Sequence, residues 1–130
     1  MTLAIRTDQS RAELALLSKS GQTIAQLRWE ADRELSRQLL SRINQLLKQH
    51  QTGLDMLTGI IVFKGPGSFT GLRIGISVAN ALAYALKIPI VGTNGQQWLS
   101  QGARKLSDAK SGKWVEPDYG AAPRITRPRK

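Results

Sequence analysis

Cysteine is absent from the 130 residues, which excludes a disulfide framework and a cysteine-based zinc site. Histidine occurs once, as His50, too few for a paired-histidine metal site. Acidic residues are scarce: nine Asp and Glu stand against 19 Lys and Arg, a formal net charge of +10. Aromatic residues make up only 5%. No apolar run approaches the roughly 18 residues of a membrane helix. No basic segment followed by a long apolar core opens the chain, so neither a membrane span nor a signal peptide is expected. A cytoplasmic protein without membrane contact is the corresponding expectation.

What is present suits one globular domain. The apolar fraction is 41% and the charged fraction 22%, the balance of an ordinary folded domain. A chain of this length hides roughly two-thirds of its unfolded surface, enough for a core. The positive charge favours acidic partners such as nucleic acid, an acidic protein or an anionic surface, although a solvated basic surface has the same composition. The charge is uneven. Residues 1–100 and residues 101–130 each carry a net +5, so the last segment is over three times as charge-dense.

The pattern along the chain is a hairpin followed by alternating strands and helices. Thr2 to Thr7, Arg11 to Ser18 and Thr23 to Trp29 read as three strands, the last two joined through a Ser20-Gly21 turn. Leu35, Leu39, Leu40, Ile43, Leu46 and Leu47 then recur at helical spacing between Arg33 and Gln49, with Asp32 as N-cap and Gly53 as stop. Gly59 to Phe63 is a continuous apolar run, as in a strand buried on both faces. Phe69 to Leu86 reads as a second helix, Ile88 to Val91 as a strand and Gln96 to Leu106 as a third helix. The order β-β-β-α-β-α-β-α implies an α/β fold with a mixed sheet, of which the ribonuclease-H-like layout is the leading candidate. Residues 1–106 form this lobe. Residues 107–130 read as a basic tail with Pro117, Pro123 and Pro128, docked through Trp114, Val115 and Tyr119.

The segment Gly65 to Ser77, GPGSFTGLRIGIS, is the most informative. A strand, a glycine-rich loop and a helix can present backbone N–H groups to an anion, with Gly65, Gly67 and Ser68 as the candidates and Ser68 or Thr70 as the cap. It is no P-loop, because no Gly-Lys-Ser/Thr follows the glycines, and a tight turn explains them equally. Within the helix, Gly71, Gly75, Ala79 and Ala83 lie four apart beside an apolar ridge through Leu72 and Ile76. A helix small or apolar nearly all round has a second face to bury, against the first helix or against a partner chain.

GPGSFTGLRIGISVANALAYAL closely resembles the signature of the TsaB (YeaZ) family, and the opening LAIRTDQSRAELALL and the later IPIVGT are similar in character. The similarity covers residues 1 to about 105. It implies the actin-like ATPase (ASKHA) fold and a noncatalytic subunit of the bacterial machinery that threonylcarbamoylates adenosine 37 of tRNA. It implies no cofactor, a TsaD-type catalytic partner, a TsaE-type ATPase as a third component, and a homodimer through the same helices. The surface so implied contains Leu35, Leu39 and Ile43 with Gly71, Leu72, Arg73, Gly75, Ile76 and Ala79. On that basis Gly75→Leu is expected to block partner approach without unfolding the domain.

The chain also departs from the family. Typical members carry a second domain of similar size, so a two-lobed cleft is not expected here. Pro117-Asp118-Tyr119 resembles the family's C-terminal Pro-x-Tyr, which implies a lobe lost between about 107 and 114. Where members read Ile-Asp-Thr-Ser, this chain reads Ile5-Arg6-Thr7-Asp8, and an arginine cannot organise a metal. No ATP hydrolysis is expected, and turnover lost in Asp8→Ala would contradict that. His50 reads as a solvated residue at a helix end. Two other functions remain open: a small nucleic-acid-binding protein using Arg124, Arg127, Arg129 and Lys130, or a nucleotide-binding remnant using the loop. Only Trp114 and Tyr119 lie near the basic cluster, outside it.

Overall fold

Alternating side chains dictate the sheet. In the computed structural model, which describes residues 1–120, β1 (Thr2–Arg6) lies between β2 (Arg11–Leu17) and β4 (Gly59–Phe63). β3 (Thr23–Glu30) pairs antiparallel outside β2, and β5 (Ile90–Thr93) pairs parallel outside β4, giving the order β3-β2-β1-β4-β5. This is the ribonuclease-H-like layout expected. Leu3 sits beside Leu16 and Ile60, and Ile5 beside Leu14 and Val62, so one face is a wholly buried aliphatic layer. Ala4, Ala15 and Ile61 line the other face.

Helices cover both faces. α1 (Leu35–Gln49) and α2 (Phe69–Leu86) pack together on the leucine-rich face. Leu35, Leu39, Ile43, Leu46 and Leu47 form the buried stripe of α1, and each such side chain stabilises the fold by about 1.5–3 kcal/mol. Trp29 closes that layer, donating from Nε1 to Gln38 Oε1 at 3.1 Å. α3 (Trp98–Leu106) covers the opposite face. It approaches so closely that a Cβ on Gly102 would overlap Ile61.

Several boundaries differ from the sequence reading. Asp32 does not cap α1; it lies in a short 3-10 turn at φ 46°, and no side chain caps the helix. The left-handed residue after α1 is Gln51 at φ 56°, while Gly53 is extended. The fifth strand begins two residues later than expected. Ile88 N–H completes the α2 cap on Ala83 O, and Pro89 has no N–H to give. α2 is also long and apolar enough, by length and composition, to cross a membrane, against the expectation of no such run. Its Gly, Ser, Thr, Asn and Arg residues interrupt the apolar letters and hid it. Here it is the helix that covers the sheet, with Leu72, Ile76, Ala79 and Ala83 buried.

Candidate interaction surface

The turn after β1 sets the position of α2. Arg6 ends the strand and folds over Phe63, with its guanidinium 3.9 Å from the ring centroid. From there Nε and Nη2 donate to the two carboxylate oxygens of Asp8 at 2.8 and 3.1 Å. The Asp8 side chain is 6% exposed, so neither partner can be removed alone without leaving a charge short of compensation. Thr7, one residue between them, donates from Oγ1 to Gly71 O at 2.7 Å.

That turn accounts for three of the signature glycines. A Cβ on Gly67 would overlap Asp8, one on Gly71 the Thr7 carbonyl, and one on Gly75 the Thr7 hydroxyl. A side chain on Gly65 would overlap the Asp118 carbonyl, and Gly65 itself stands at φ 123°. The loop is therefore built for close approach of this chain's own backbone. Two donors here are engaged: Ser68 N–H bonds Asp8 O at 2.9 Å, and the Gly71 N–H donates to Ser68 Oγ. Gly65, Gly67 and Ser68 lie together in the loop between β4 and α2, with the Asp8 backbone and Cβ packed against Gly67 and the Asp8 carboxylate turned onto Arg6. Thr70 is not the cap.

The same contacts revise the partner surface. Gly71 and Gly75 face Thr7, and Leu72, Ile76 and Ala79 lie buried on the sheet. Leu35, Leu39 and Ile43 are buried beneath α1. Of the residues expected to meet a partner, only Arg73 is exposed. The outward side of α2 lies nearly opposite, about half a turn around the helix at 3.6 residues per turn. There Thr70, Arg73, Ile74, Ser77 and Val78, with Ser36 of α1, line an open groove of about 360 Å³. Leu40, 48% exposed, stands one turn along α1 from Ser36. Arg73 reaches back over the Phe69 ring at 5.5 Å.

Helical periodicity could not separate the two faces of α2, because both are apolar or small. The signal that distinguishes them is size and register. The sheet takes the ridge that carries Leu72, Ile76 and Ala83, and the glycines one turn apart mark where β1 ends beneath the helix.

Beyond α3 the chain turns back across the edge of the sheet. The Asn80 amide exchanges two 2.9 Å hydrogen bonds with the backbone of Val115, and Asp118 N–H donates to Lys64 O at 2.7 Å. Tyr119 stacks on Phe69, with ring centroids 4.5 Å apart. Val115 and Tyr119 thus dock as expected, whereas Trp114 points outward, 70% exposed. His50 lies exposed at the end of α1, and no metal-binding group of three acidic or imidazole side chains occurs among the described residues. Arg124, Arg127, Arg129 and Lys130 lie outside the described residues.

Comparison with known proteins gives these features a context. Residues 29–113 match the family model described as TsaD: tRNA N6-adenosine threonylcarbamoyltransferase. A Haemophilus influenzae protein, "tRNA threonylcarbamoyladenosine biosynthesis protein TsaB", is 30% identical over 110 residues, 84% of this chain and 45% of its own length. Its Buchnera aphidicola counterpart is 35% identical over 101 residues, 78% of this chain and 47% of its own. The solved structure of YeaZ from Pseudomonas aeruginosa superposes with a TM-score of 0.68 at 30% identity, covering 82% of this chain and 49% of that one. The chain therefore spans about half the length of the relatives it matches, and its lobe has the actin-like ATPase fold.

Proposed function

The chain belongs to the TsaB (YeaZ) family, and from that premise we propose that it is a noncatalytic subunit supporting threonylcarbamoylation of adenosine 37 in tRNA. Its role is to bind a TsaD-type catalytic partner in the cytoplasm. The observation that carries this reading is the outward groove between α1 and α2. It is an apolar floor of Ile74 and Val78 rimmed by Ser36, Thr70, Arg73 and Ser77, with Leu40 beside it. An apolar centre with a polar rim is the anatomy of a protein interface. The groove takes up the role first assigned to the buried face. In the absence of the partner the same face serves a homodimer, and a TsaE-type ATPase joins the assembled pair.

The noncatalytic reading rests on the site chemistry. What supports it is that the Asp8 carboxylate pairs with Arg6 at 2.8 and 3.1 Å, at the position where an arginine stands in place of the metal-organising carboxylate. In a reconstituted reaction containing tRNA, the TsaD-type partner, the TsaE-type ATPase and the threonylcarbamoyl donor, modification is expected to depend on adding this chain. Equal yield without it would refute the proposal.

A further inference from the structure

We propose that Tyr84 and Trp114 form a stacking platform for a single strand of RNA, held by the lysines around them. Tyr84 is 87% exposed and Trp114 70%, the two most exposed large hydrophobic side chains in the described residues. The fold buries its other two tryptophans, Trp29 and Trp98, so exposure of Trp114 is a property of its position. Both rings line one groove of about 790 Å³, together with Lys87 and Lys113. Trp114 also borders a second groove on its other side, where Lys64 and Lys105 lie. Two open rings thus stand among four lysines, with Glu116 the one acidic side chain lining either groove among the described residues.

The platform is preorganised. Val115, next to Trp114, is clamped by the paired Asn80 bonds, so the backbone that carries the indole is held to α2 while the ring stays open. Tyr84 projects from the last turns of the same helix. Flat rings interleaved with cations suit a polyanion that carries π-faces, since bases stack on the rings and phosphates meet the ammonium groups. The four lysines make an acidic single strand a better match than an apolar protein face. This inference concerns the chain's own surface and does not depend on the TsaD-type partner, so the full 130-residue protein tests it alone.

The probe is a fluorescein-labelled adenylate RNA of about twelve nucleotides at about 50 mM salt, read by anisotropy and by quenching of tryptophan emission. Binding is expected to quench Trp114. Trp114→Ala and Tyr84→Ala should each weaken it about 5- to 100-fold, with Trp114→Phe recovering most of the loss. A full-length variant with Arg124, Arg127, Arg129 and Lys130 changed to serine should keep the quenching. The proposal is overturned if the RNA does not bind, or if Trp114→Ala and Tyr84→Ala bind as tightly as the parent. Equal affinity for a duplex of the same length also overturns it. So does a blue shift of Trp114 emission with anionic vesicles, or with rising protein concentration alone, in place of RNA quenching.

Discussion

Gly75→Leu is expected to abolish folding of this domain. A Cβ at that position would overlap the Thr7 hydroxyl, which donates its hydrogen bond to Gly71 O at 2.7 Å. The side chain would have to enter between the end of β1 and α2, where Thr7 is buried and the glycine faces it directly. Overpacking a close contact costs about 1–3 kcal/mol for small additions, and losing the Thr7 hydrogen bond adds about 1 kcal/mol. For Gly75→Ala the expected loss is therefore about 2–4 kcal/mol, read from urea unfolding followed by circular dichroism. Four heavy atoms in leucine exceed what a domain of about 5–15 kcal/mol total stability tolerates at this point. Thr7→Ala removes the obstructing hydroxyl and methyl. The double variant Thr7→Ala, Gly75→Ala should consequently be less destabilised than the sum of the singles, by about 1 kcal/mol or more. A folded, soluble Gly75→Leu protein would show that α2 does not pack on Thr7 as described.

Ile74→Glu together with Val78→Glu should act in the opposite way, sparing the fold and removing the partner. Both side chains are half-buried, packed against the margin of the core and lining the groove. Two carboxylates there cost little in the monomer because water reaches them. In a closed interface they would be desolvated without a counter-charge, except for Arg73 at the rim. Central apolar positions carry most of an interface's affinity, so binding of the TsaD-type partner should fall by more than about 100-fold. Isothermal titration with the partner and thermal unfolding of the variant separate the two effects. Unchanged affinity would place the interface elsewhere.

These opposite outcomes for residues one position apart show where the sequence was legible. Strand and helix order could be read because the periods are clean: Leu3 and Ile5 alternate on β1, and Leu35, Leu39 and Ile43 recur along α1. The β4 and α2 boundaries match because GIIVF ends at a glycine-rich loop and Ser68 caps the following helix. The facing of α2 was not legible. Gly71 and Gly75 look alike whether they admit a partner helix or a turn of the same chain, and only the end of β1 beneath them decides it. The Arg6–Asp8 pair was hidden for a related reason. β1 stops at Arg6, and the turn then brings the Asp8 carboxylate back onto the guanidinium. The Tyr84–Trp114 juxtaposition was likewise invisible, because thirty residues separate them and Asn80 joins the two segments.

Light scattering on the purified chain, alone and mixed with the TsaD-type protein of the same genome, shows whether the two chains form a complex. One stable species is expected, its mass the sum of one copy of each, replacing whatever monomer or dimer the chain forms alone. Two unchanged species at micromolar concentrations would contradict the proposed partner-binding role.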